Sequence, residues 1–196
     1  MKKNMTIASI CILLSPSAPV FAHVGLETAE GFVFGLQHPL LGLDHFLVMT
    51  GLGLWLSRQN RDYGLRGITA FLAAMGVGAV SAMSGWYFPY VETAILLSVL
   101  LTGVLLIGSG ERPAGNIGIA AITALAFMHG QAHGSEIPLH TAVLSYCGGF
   151  LLATLALLVA GSACGWLLRR KRYGSLSRIY GGLTGMAGLW LLLLNS

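Results

Sequence analysis

Charge is what this 196-residue chain has least of: 9% of its residues are Asp, Glu, Lys or Arg, and 11 basic side chains against 7 acidic ones leave a formal net charge of +4. A soluble domain of this length needs a charged, solvated surface, which such a composition does not supply. Cysteine is nearly as scarce, with 3 in the chain. Cys147 and Cys164 fall in one apolar stretch, about 25 Å apart along a helix, too far to be bridged. No two cysteines have CxxC spacing, which argues against a zinc or iron–sulfur site built on thiolates. The sequence also lacks a glycine-rich phosphate loop, a GxSxG elbow and any nucleic-acid motif. Those absences remove ATP-driven transport, nucleophile-elbow hydrolysis and nucleic-acid recognition from consideration.

What the chain has in abundance is apolar surface, 55% of its residues, together with 27 glycines. The fold class this implies is all-α, a polytopic bundle of membrane helices. Small residues let neighbouring helices approach closely in lipid, and the spacings Gly161 to Gly165 and Gly181 to Gly185 are candidate contacts. The amino end reads as a secretory signal peptide over 1–22: Met1-Lys2-Lys3, an apolar run from Met5 to Leu14, and small or modest residues at Val20-Phe21-Ala22 before the cleavage point. That run is about half of the roughly 20 residues a span needs. Residues 23–196 then form a single domain with six apolar stretches, 31–56, 67–88, 94–108, 114–127, 142–168 and 179–194, hence six predicted spans. The third and fourth are short as counted and are expected to extend into Tyr90 to Thr93 and Met128 to His133.

Every basic residue beyond Lys2 and Lys3 lies in one of three alternate connections: Arg58, Arg61 and Arg66; Arg112; and Arg169, Arg170, Lys171, Arg172 and Arg178. Those are the cytoplasmic ones by the positive-inside rule, so both mature termini face the periplasm of a bacterial inner (cytoplasmic) membrane. On this topology His23, His38, His45, His129, His133 and His140 all map to the outer side or outer half, together with Glu27, Glu30, Glu92, Glu136 and Asp44. Imidazole and carboxylate on one face suit a divalent first-row metal.

Two clusters carry most of that chemistry. In His38-Pro39-Leu40-Leu41-Gly42-Leu43-Asp44-His45, proline favours the first turn of a helix and pushes the residue before it out of helical geometry, which places His38 at a helix mouth. A continuous helix from Pro39 to Leu56 would set Asp44 and His45 about 8 to 9 Å below that mouth, where a charged Asp marks an ion path or a partner. His38 and His45 would then stand about 10.5 Å apart, beyond the reach of one ion, so either the chain kinks at Pro39 or His38 hands metal inward to Asp44 and His45. The second cluster runs from Met128 to Glu136. His129 and His133 have the i, i+4 spacing of a helical chelating pair, and Glu136 would join them if the helix continued. The plainer readings are a polar pair satisfied within the bundle for Asp44 and His45, and solvated loop residues for His129, His133, Glu136 and Glu92. His23, as a new amino terminus, would offer amine and imidazole to a metal; His140 beside Pro138 reads as interfacial.

His38, Asp44 and His45 match the HX5DH motif, and His129 to Glu136 nearly match the FHGx(A/V)HGxE motif, so the chain resembles the HupE/UreJ family of nickel/cobalt permeases. The resemblance extends to the signal peptide, six spans and outward amino end. Met128 stands where the family usually has phenylalanine, with Phe127 one position early, which leaves the ligands intact and changes local packing. The resemblance implies metal-handling roles for His38, Asp44, His45, His133 and Glu136, with His129 in support. It also favours Glu92, and Phe71 in the second span. The function it implies is a non-enzymatic secondary permease moving Ni2+ or Co2+ inward, with no prosthetic group and with the metal ion and the lipid bilayer as partners. Two other classes fit the same residues: a non-transporting accessory protein that delivers metal in hydrogenase or urease maturation, and a membrane-embedded metalloenzyme.

Overall fold

In the computed structural model, which describes residues 26–108, 115–138 and 141–195, the described residues form seven helices and no strands. They are α1 (Leu26–Leu41), α2 (Leu43–Leu56), α3 (Arg61–Met83), α4 (Val91–Gly108), α5 (Gly115–Ser135), α6 (Val143–Arg170) and α7 (Gly174–Leu194). The all-α architecture is as the composition requires. The proposed signal peptide, His23, Arg112 and His140 lie outside the described residues.

Among the described residues three helices, α3, α4 and α6, are long and apolar enough to cross a membrane, and a fourth crossing is available if α1 and α2 count as one bent span. The sequence led to an expectation of six. Although α5 and α7 have 21 residues each, α5 carries His129, Gln131 and His133 in its last turns and α7 opens on polar residues through Arg178, which lowers their apolar character. The short third and fourth stretches do extend, to Val91 in α4 and to Ser135 in α5.

Of the two alternatives for the first stretch, a kink near Pro39 or a continuous helix, the structure has the kink, three residues beyond the proline. Helix α1 runs through Pro39 to Leu41, and the axis then turns by 75° into α2. The break is at Gly42, in extended conformation with φ −70° and ψ 115°. Proline costs α1 one backbone hydrogen bond near its end, yet the last turn still closes, with the Gly42 N–H donating to His38 O at 3.0 Å. His38 therefore ends one helix and is not the mouth of the next. Asp44 and His45 occupy the first turn of α2 and do not lie two turns down.

Close glycine contacts set how the helices run. Gly130 and Gly134 of α5 lie against Met75 and Ala79 of α3, so these two helices are parallel. Gly161 and Gly165 of α6 meet Thr50 and Leu54 of α2 in the same sense, whereas Gly181 and Gly188 of α7 meet Leu106 and Leu100 of α4 in the opposite sense. Thus α2, α4 and α6 begin at one end of the bundle, where α3, α5 and α7 finish. Without Cβ atoms the backbones approach within van der Waals contact, which is how helices associate where no water drives burial. Between them lies a core of Met49, Leu52, Phe71, Met75, Phe150 and Leu158, all fully buried. The outward faces carry large apolar side chains such as Leu144, Ile117, Val80 and Met186. At the far end Arg58 ties three helices together, donating to Leu106 O at 2.9 Å and Ser177 Oγ at 2.6 Å.

Candidate metal centre

The bend at Gly42 has a chemical consequence. It folds the end of α1 over the start of α2, and α5 ends beside both, so ring nitrogens of His38, His45 and His133 all lie within 4.8 Å of one another. Residues that a straight helix would hold about 10.5 Å apart now have ring centroids 5.2 Å apart, and His133 lies 4.8 Å from His38 and 4.9 Å from His45. At a metal–nitrogen distance of about 2.1 Å, two ligands at a tetrahedral angle stand about 3.4 Å apart. The trio is open by up to about 1.4 Å relative to that geometry, a gap that side-chain rotation can close.

The other sequence candidates fall around this group. Helix α5 stops at Ser135, so Glu136 sits just past its end and pairs with His38, Oε2 to Nε2 at 3.2 Å, instead of joining the two α5 histidines. His129 is one turn further into the bundle, with its ring 4.9 Å from His45 and 6.5 Å from Phe71. Both members of the i, i+4 pair therefore meet His45, but His133 also meets His38 and belongs to the three-histidine group, whereas His129 lies toward Phe71. Asp44 is hydrogen-bonded to His45. Glu92, exposed in the first turn of α4, is outside the three-histidine group but within electrostatic range of Glu136, Asp44 and His45.

These imidazoles are unusual for a protein interior. His129 and His133 are fully buried and His45 is 4% exposed. Nε2 of His45, Nε2 of His129 and both ring nitrogens of His133 are buried without a hydrogen-bond partner. Leaving a buried polar atom unsatisfied costs about 1–3 kcal/mol, so four in one place are expected only where they serve a ligand. Cations suit them, because unprotonated ring nitrogens present lone pairs.

The sequence pointed to the histidines but not to what holds them. Phe150 of α6 stacks flat on His133, centroids 4.5 Å apart and planes 1° apart; in the sequence it is one more aromatic in an apolar run. Gln131, at the unspecified position between the two α5 histidines, is fully buried. It accepts from the Phe88 N–H at 3.0 Å and donates to Trp86 O at 3.0 Å and to Ser81 Oγ, fixing the connection that leads into α4 and Glu92. Gln131→Leu leaves the Phe88 and Trp86 groups unpaired and is expected to lower stability by about 2 kcal/mol, read as a lower melting temperature of the purified protein. Met128, the departure from the motif, packs beside Val91, Ile95 and Ala132, while Phe127 contacts the Phe88 ring at 5.9 Å.

Apolar helices long enough to span a membrane, enclosing a cluster of histidines that could hold a metal ion, define a helical membrane-type protein with a candidate centre for a divalent cation. Its family follows from comparison with known proteins. The sequence model described as HupE / UreJ protein matches residues 11–191, and this chain belongs to that family. It is 35% identical over 192 residues to Protein HupE of Rhizobium leguminosarum bv. viciae, an alignment covering 98% of this chain and 99% of that protein. No solved structure matches the chain.

Proposed function

We propose that this chain is a secondary permease that imports Ni2+, or Co2+, from the periplasm to the cytoplasm. The observation that carries this reading is the convergence of buried, unpartnered imidazole nitrogens at one end of an apolar helical bundle. In this reading residues 1–22 are a cleaved signal peptide, and residues 23–196 cross the inner membrane six times, with α1 and α2 as one bent span. The ends of α2 and α6 carrying Arg58, Arg169 and Arg170 face the cytoplasm.

Metal handling is assigned to His38, Asp44, His45, Glu92, His129, His133 and Glu136. Cargo meets Glu92 and Glu136 at the rim, where negative charge attracts it, and is taken up by His38, His45 and His133 as it sheds water. Asp44 supplies charge that offsets desolvation of the cation. His129 and Phe71 lie on the inward side, so exchange of ligands around His45 moves the ion toward the core. An inside-negative potential helps by about 2.3 kcal/mol per elementary charge per 100 mV, twice that for a divalent ion.

Cells deprived of their own nickel uptake and expressing the full chain are expected to accumulate radioactive nickel well above the empty-vector level. A protein that reaches the membrane, binds nickel and adds nothing to accumulation would support the accessory role instead. Capture should also weaken with acid, because a protonated imidazole has no lone pair to offer. Burial raises the Glu136 carboxyl above its ordinary range, so a proton competes with cargo there too. Nickel affinity measured by calorimetry is expected to weaken as the pH is lowered from about 7.5 to about 4.5, and an affinity constant over that whole range would argue against capture by His38 and Glu136.

A further inference from the structure

Asp44 stands beside the three-histidine group without belonging to it. One of its oxygens, Oδ1, accepts two hydrogen bonds from the next residue: from the His45 backbone N–H at 2.7 Å and from the His45 ring Nδ1 at 2.9 Å. A carboxylate oxygen can only accept, so Nδ1 carries the ring hydrogen and the lone pair of His45 is left on Nε2. That Nε2 is buried and without a partner. The His45 ring lies 5.2 Å from His38, 4.9 Å from His133 and 4.9 Å from His129, so it meets all three of the other clustered histidines. Helix α5 repeats the device. His129 Nδ1 is 2.9 Å from the Leu125 carbonyl oxygen, which likewise can only accept, and the unpartnered atom is again Nε2.

We propose that Asp44 is a positioning residue and not a ligand of the cargo: its carboxylate locks His45 in the Nδ1–H tautomer and holds Nε2 at the centre of the four imidazoles. A carboxylate behind a ligating imidazole fixes the ring and raises its basicity as well. Two features of the chain maintain the pair. Asp44 lies in the first turn of α2, where the helix dipole favours negative charge. Gly42 leaves space for it, since a Cβ there would stand 3.1 Å from Asp44 Oδ1 and 3.3 Å from His45 Nδ1. The φ of −70° at Gly42 suits any residue, so glycine is needed here for room and not for conformation. The consequence for cargo rests on the permease reading; the tautomer does not.

The test uses the purified full chain, labelled with 15N-histidine and free of metal, and then titrated with Co2+. Asn offers a carbonyl oxygen in place of the carboxylate, so wild type and Asp44→Asn should both show His45 as Nδ1–H by NMR, whereas Asp44→Ala should populate the Nε2–H form. Co2+ should give the same visible absorption bands in wild type and Asp44→Asn, with affinity about 10- to 100-fold weaker in the variant. An unchanged His45 tautomer in Asp44→Ala would overturn the proposal. So would a changed band pattern in Asp44→Asn, which would make Asp44 a ligand; because that variant keeps both acceptor bonds, it covers the case in which Asp44→Ala does not fold. Failure of the permease reading is a separate outcome, namely no uptake by a wild-type protein in which the tautomer is in place.

Discussion

His133→Ala is expected to weaken nickel binding by more than about a hundredfold, since loss of an outer-shell partner alone costs about 10- to 100-fold. His133 is the α5 contribution to the three-histidine group, and both its ring nitrogens are buried and unpartnered. Removing it leaves the His38–Glu136 and His45–Asp44 pairs in place, because neither involves His133. Stability should change little in comparison: the ring's contact with Phe150 is lost, but so is the cost of burying two unsatisfied nitrogens. His133→Phe separates the two contributions. It keeps an aromatic ring against Phe150 and offers no ligand, so it should fold as the wild type does and bind as weakly as the alanine variant. Calorimetry with nickel and a thermal melt on each variant check this; binding within threefold of wild type in both would remove His133 from the site.

The second large effect concerns packing. A Cβ at Gly130 would fall 2.9 Å from Met75 Cα and closer still to the Met75 carbonyl, a collision with backbone that no rotamer change relieves. Gly130→Ala should therefore push α5 away from α3 along the seam that also includes Gly78 and Gly134, displacing His129 and His133 together. Overpacking of this kind costs about 1–3 kcal/mol and sometimes more, which for a chain of this size lowers Tm by about 6–12 °C at the upper end. Gly76→Ala is the control: Gly76 lies in α3, the helix against which α5 packs, but a Cβ there meets nothing within 4 Å, and its Tm should stay within a few degrees of wild type or rise. Equal effects at the two positions would mean that helix propensity, and not the α3–α5 contact, determines the outcome.

Much of this was legible in the sequence because it depends on residue type and local spacing. Apolar runs broken by arginine clusters mark helices, and histidines with carboxylates mark the candidate centre. The short third and fourth runs had to lengthen, and they do, to Val91 and Ser135. The rest depends on tertiary contact. Pro39 is a strong local signal for a helix start, yet α1 carries it in its last turn and breaks at Gly42, where a Cβ would crowd Asp44 and His45. A helical repeat separates His38 from His45 by two turns, so spacing left a kink and a hand-over as alternatives; the 75° bend, centred on Gly42 and not on Pro39, is what brings the two rings together. The parallel run of α3 and α5 and the position of Phe150 beneath His133 leave no periodic trace at all. Gln131 sits where the family motif specifies nothing, although its amide organises the approach to Glu92.

The central claim is that the histidine cluster passes a divalent ion through the bundle, and uptake by purified protein in sealed liposomes tests it most directly. With an inside-negative potential, wild-type liposomes are expected to accumulate radioactive nickel above protein-free liposomes, in a saturable manner and in competition with cobalt, and His133→Ala liposomes are expected to fall to the protein-free level. Wild-type protein that binds nickel with its histidines yet leaves the interior of the liposomes at the protein-free level would contradict it.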